Sequence, residues 1–174
     1  MNYPAYLPQA IAVGAMTMCN QRKTPTACDP HNILWGSNYG DNLSMVAPGV
    51  NIHTVTSTFY GYTLNFMNGT SAAAPHVSGV AALMLEVNPD LTAMEVKRIL
   101  EFSCNKVGNY CYNWTPSHPI GPWNNEMGYG RINAYYAVQL ATHCDSGIVC
   151  STDLLMLRRE LLHNPLHISG SHSP

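Results

Sequence analysis

Charge is scarce in this chain. Asp, Glu, Lys and Arg make up only 10% of its 174 residues, where soluble domains carry roughly a quarter. The formal net charge is −2, and the few cations form no basic stripe, which argues against nucleic acid as a partner. Long apolar runs are absent too: no stretch reaches about eighteen residues, so no membrane-spanning helix is expected. Neither Cys-x-x-Cys nor another metal-like cysteine spacing occurs. What remains is a chain with 46% hydrophobic residues, enough for one domain core. With so little charge, part of its apolar surface is expected to meet segments outside these residues.

The chemistry concentrates in one run, Asn68-Gly69-Thr70-Ser71-Ala72-Ala73-Ala74-Pro75-His76-Val77, continued by Ser78-Gly79-Val80-Ala81-Ala82-Leu83-Met84-Leu85. A hydroxyl in the first turn of an apolar helix sits among backbone N–H groups that lack intrahelical partners, at the positive end of the helix dipole. That is where a developing oxyanion is stabilised. Thr70 is the expected N-cap, and Pro75 falls near the first turn, where a missing N–H costs little. From Ala72 to Val87 only His76, Ser78 and Glu86 are not apolar, so the helix is expected to be buried, its small residues lying close against a sheet. Gly-Thr-Ser-Ala also opens buried helices in many α/β proteins. The nucleophile elbow of another hydrolase class needs Gly-x-Ser-x-Gly and fails here at Ala73.

The whole run resembles the nucleophile segment of the subtilisin-like serine proteases, the subtilases. Other segments resemble that family in the same order: Tyr3-Pro4-Ala5 with Pro8 to Ala15, Ser37-Asn38-Tyr39-Gly40, Val46-Ala47-Pro48-Gly49-Val50-Asn51-Ile52, and Gly128-Tyr129-Gly130-Arg131-Ile132-Asn133-Ala134. Together they cover about residues 3 to 141. The resemblance implies a serine endopeptidase in which Ser71 is the nucleophile and its own N–H faces the oxyanion. Thr70 is implied as an auxiliary oxyanion donor, and Asn2 with the 3–5 turn as one edge of the substrate pocket. Substrates would be proteins or peptides. No cofactor is required, although the family often binds structural calcium through carbonyls and carboxylates; no such site is assignable from these residues.

Subtilase triads run Asp, His, Ser along the chain, so the acid and base belong before Ser71. The family's His-Gly-Thr is absent, and neither His31 nor His53 has those neighbours. Asp29 and Asp41 do not fit the family's aspartate segment. Asp145-Ser146-Gly147 has the right letters in the wrong place, after the serine and between Cys144 and Cys150. The oxyanion-hole asparagine is missing as well. The chain is therefore expected to be the C-terminal part of a catalytic domain whose N-terminal half is its missing partner, and to be inactive alone. The alternative is a non-catalytic, degenerate subtilase domain acting in binding or as a complementing half. His76 lies five residues from Ser71, more than a helical turn away, and is expected to be a satisfied core histidine.

The fold expected is α/β and subtilisin-like, a parallel sheet flanked by helices but incomplete, with 1–142 as the catalytic-domain part. Strands are expected near 10–17, 43–47, 50–56 and 62–67. Helices are expected at 71–87, at 92–102 with a Thr92/Glu95 capping box, and at 133–142 capped by Asn133. The stretch 104–130, rich in Asn, Gly, Pro, Trp and Tyr, is expected to be a loop. Close spacing predicts bridges Cys19–Cys28, Cys104–Cys111 and Cys144–Cys150, which imply an oxidising, extracellular setting; six reduced buried cysteines are the alternative. Residues 143–174 read as a Cys-bounded turn, a short helix and a linker-like tail. Three glycosylation sequons occur, and the one at Asn68 should be unused because a glycan there would crowd Ser71.

Overall fold

The computed structural model describes residues 3–29, 34–59 and 61–144. Asn2, His31, Asp145, Cys150 and the tail to residue 174 lie outside the described residues. A two-stranded parallel sheet forms the floor of the molecule, β1 (Val13–Met16) beside β2 (Met45–Pro48), in register Val13 to Met45 and Met16 to Pro48. β1 starts later than the apolar run suggests because residues before it are turned, with Leu7 N donating to Pro4 O and Ala10 N to Leu7 O, both at 3.0 Å. β3 (Ile52–Thr58) and β4 (Gly61–Met67) make an antiparallel hairpin of their own. Then come α1 (Thr70–Val87) and α2 (Ala93–Ser103), a second hairpin of β5 (Asn113–Thr115) and β6 (His118–Trp123), and α3 (Ala134–His143).

The core joins Ala15, Met45 and Ala47 of the parallel pair to Ala73, Val77, Val80 and Met84 of α1, with Ile99 and Leu100 of α2 and Ala137, Leu140 and Ala141 of α3. Alanines on both surfaces let α1 lie directly on the strands. Each large side chain taken fully out of water contributes about 1.5–3 kcal/mol. The caps predicted for the two later helices form. Glu95 N donates to Thr92 Oγ1 at 3.3 Å and Thr92 N to Glu95 Oε2 at 2.7 Å, while Tyr136 N donates to Asn133 Oδ1 at 3.0 Å.

Three expectations are corrected. α1 is buried on one stripe only: Leu83, Leu85 and Val87 are exposed, because the described residues give it neighbours, chiefly β1, β2 and α3, on a single side. The 104–130 segment is not a plain loop, since β5 and β6 pair within it. Nor do Cys104 and Cys111 bond. Cys104 ends α2 facing the core, its Sγ donating to Leu100 O at 3.2 Å, whereas Cys111 is exposed. Backbone bonds brace the segment instead, Asn105 and Arg131 exchanging both of theirs at 2.8 and 2.9 Å. The bridge Cys19–Cys28 is present; the Cys144–Cys150 pairing lies outside the described residues. Among the described residues no helix is long and apolar enough to cross a membrane.

Candidate active site

Ser71 is delivered to the surface by the carboxyl end of the parallel pair. β2 ends at Pro48, and Gly49 follows in a space that admits no side chain: a Cβ there would lie 2.5 Å from Ala15 Cβ and 2.8 Å from Gly69 O. Gly49 N donates to Met16 O at 3.1 Å, and Gly69 N donates to Gly49 O at 2.8 Å. One residue earlier, Asn68 Oδ1 accepts from Asn51 N at 2.7 Å. These bonds pin the chain just before α1. The bend falls at Gly69, whose φ of 143° is open to glycine and strained for other residues.

Gly69, not Thr70, is therefore the N-cap of α1, and no side chain caps the helix. The Gly69 carbonyl accepts from Ala72 N at 3.0 Å and Ala73 N at 3.3 Å, which leaves the Thr70 hydroxyl with no capping duty. Pro75 sits inside the helix, one turn beyond its start, so Ser71 O lacks the N–H that would normally donate from four residues on. No acidic residue occupies the first turn, and nothing there offsets the positive end of the dipole.

Ser71 is exposed and opens onto a depression of about 380 Å³ walled by Tyr3, Ala5, Trp35, Gly36 and Asn38 together with Gly69 and Thr70. The Tyr3–Ala5 turn lines the same depression as Ser71. The Trp35–Asn38 part of the wall is tied to β1 by Ser37, whose Oγ accepts from Ala15 N at 2.9 Å and whose own N–H donates to Lys23 O at 2.8 Å. No imidazole and no carboxylate stands among the described residues lining this depression. His53 lies against Phe66 in the β3–β4 hairpin, ring centroids 4.2 Å apart and planes tilted by 33°. His76 donates from Nδ1 to Ala72 O at 2.9 Å; it is satisfied, as expected, but exposed rather than in the core. Asp41 uses its backbone carbonyl to accept from His118 Nε2 at 2.8 Å.

Asp29 has a structural part that the sequence did not reveal. It is buried and paired with Lys23 at 2.9 Å, both side chains fully out of water. A buried charge of this kind is tolerated only with its partner in place. The pair closes the base of the loop that Cys19–Cys28 also bridges. Nothing in the spacing of Lys23 and Asp29 marks them for burial, since isolated Lys and Asp are surface residues by default. The Cys104 thiol is no rival nucleophile, because burial pushes its pKa up to about 12. No group of three or more His, Cys, Asp or Glu side chains among the described residues could hold a metal ion, so no calcium site is assigned.

The sequence profile of the Subtilase family matches residues 1–130. The chain belongs to that family. It is 40% identical over 139 residues to Subtilisin NAT from Bacillus subtilis subsp. natto and 38% identical over the same length to M-protease from Shouchella clausii strain KSM-K16. Each alignment covers 80% of this chain and 29% of the relative, so the chain spans less than a third of either protein's length. Among solved structures, fervidolysin from Fervidobacterium pennivorans, a keratinolytic enzyme related to subtilisin, superposes with a TM-score of 0.59 at 26% identity, covering 79% of this chain and 20% of that one. The architecture is an incomplete subtilisin-like α/β fold, and the subtilase family is one of serine endopeptidases.

Proposed function

We propose that Ser71 is the nucleophile of a secreted serine endopeptidase whose triad Asp and His and oxyanion Asn are supplied by segments outside these 174 residues. The observation that carries the reading is the position of Ser71: an exposed residue at the start of α1, where no side chain caps the helix, facing a depression lined by no imidazole or carboxylate among the described residues. In this mechanism Oγ attacks the scissile carbonyl carbon while a histidine from outside takes its proton. The oxyanion is met by the Ser71 N–H and by the Thr70 hydroxyl. The C–N bond then breaks, the histidine returns the proton to the leaving amine, and water hydrolyses the acyl-enzyme by the same steps. The Tyr3–Ala5 turn forms one edge of the site for a protein or peptide chain, and Trp35 to Asn38 another. The Cys19–Cys28 bridge supports an extracellular setting. Residues 1–142, with the end of α3 at His143, belong to the catalytic part.

A fluorophosphonate active-site probe tests this. The isolated 174-residue chain should remain unlabelled, since loss of triad function removes several orders of magnitude in rate. A longer protein carrying the upstream segments should label at Ser71 and lose all labelling in Ser71→Ala. Stoichiometric labelling of the isolated chain would refute the claim that base and acid lie elsewhere. Failure of the longer protein to label or to cleave casein would move the assignment to a non-catalytic subtilase domain.

A further inference from the structure

We propose that Lys97, on α2, is a positioning residue for the substrate wall beside Ser71, its ammonium serving as a tethered cation that holds the turns of residues 3–10 in place. The inference rests on the reading of Ser71 given above. Tyr3 and Ala5 stand in the wall of the depression, yet Tyr3 is 81% exposed, and the segment from 3 to 10 forms turns rather than a strand. Little apolar packing supports it from below, where a separate cavity of about 480 Å³ runs between Leu7, Pro8, Lys97 and Glu101.

Polar tethers hold the turns instead. Lys97 Nζ donates to Pro8 O at 2.6 Å and to Ala10 O at 2.9 Å. Asn42 Nδ2 donates to Tyr6 O at 2.8 Å. Three carbonyls within five residues thus converge on two side chains, and the two that meet the ammonium form charge-assisted bonds, stronger than neutral ones. The ammonium is itself held. Glu101 Oε1, one helical turn on, lies 4.0 Å from Nζ, and α2 is anchored in the core by Ile99 and Leu100, neither of which reaches solvent. The core sets α2, α2 sets the ammonium, and the ammonium sets the wall. Loss of the tether leaves Ser71 and the start of α1 intact, because those are pinned by Gly49 and Asn51. The deficit therefore falls on binding of the peptide chain and not on the chemical step.

The test compares Lys97→Met and Lys97→Arg in the full chain by hydrogen exchange. Lys97→Met should speed exchange of the amides in residues 5–12 by about tenfold through local opening, with α1 and α3 unchanged, and Lys97→Arg should restore the protection. Asn42→Ala, which removes the other tether, should loosen the same residues to a smaller degree. In the longer protein that cleaves peptides, Lys97→Met should raise KM for a fluorogenic peptide with kcat held within about a factor of two, and Lys97→Arg should bring KM back. Unchanged exchange in residues 5–12, or faster exchange spread over α1 and α3, would overturn the proposal. So would a fall in kcat at constant KM. If the unmodified longer protein cleaves nothing, the reading of Ser71 fails while the exchange measurement still decides the tether.

Discussion

Replacing Gly49 by alanine puts the whole construction of the Ser71 site under load. The added methyl would sit 2.5 Å from Ala15 Cβ and 2.8 Å from Gly69 O, with Ala15 Cα at 3.1 Å. None of these atoms is the end of a flexible side chain. Ala15 lies in β1 with no exposure at all, and Gly69 O is committed to Ala72 N and Ala73 N at the start of α1. Relief requires the backbone of β2 to move away from β1 or the head of α1 to lift. Overpacking of this kind costs about 1–3 kcal/mol, and the value here should lie at the upper end because two backbone elements are wedged together. Gly79 supplies the control: it lies in α1, and a Cβ there meets nothing within 4 Å. Gly79→Ala should stabilise by roughly 0.5–1 kcal/mol through helix propensity alone. Urea unfolding followed by circular dichroism reads both. If Gly49→Ala costs less than about 0.5 kcal/mol, within the range of an ordinary surface change, the close approach of β1, β2 and α1 described above is wrong.

Thr92→Ala removes the hydroxyl half of the capping box on α2, leaving the bond from the residue's own backbone N–H to Glu95, and should cost about 1 kcal/mol in the same urea assay, with Thr92→Ser close to neutral. Iodoacetamide near neutral pH should modify Cys111 and leave Cys104 untouched until the chain is unfolded, because burial pushes the Cys104 thiol up to about 12; peptide mapping without reductant should find Cys19 joined to Cys28. Burial also raises the Glu101 pKa above 4.5, outweighing the opposing hydrogen bond from Ser44 and the charges of Lys97 and Arg98. The folded chain therefore holds that proton more tightly than the unfolded one, so this group's contribution to stability falls as pH rises through the window above 4.5. Glu101→Gln should flatten that part of the pH–stability curve; an unchanged curve would show that Glu101 is not desolvated.

The sequence alone was enough for those features whose causes are local. The run from Asn68 to Leu85 announced a helix with a serine in its first turn, Thr92 and Glu95 announced a capping box, and Asn133 a third helix start, because capping and periodicity depend on residues within one turn of one another. The motifs in order also carried the family. Contacts between distant segments were a different matter. Thr70 looked like the cap, yet Gly69 took that place because Gly49 and Asn51, about twenty residues earlier, hold the chain there. Cys104 and Cys111, seven residues apart, looked like a pair, but the end of α2 turns one inward while the loop carries the other to solvent. The ion pair of Lys23 with Asp29 and the reach of Lys97 across 87 and 89 residues to Ala10 and Pro8 leave no periodic trace. Hydrogen bonds and ion pairs of that range are set by how the elements pack, and packing is a property of the folded chain as a whole.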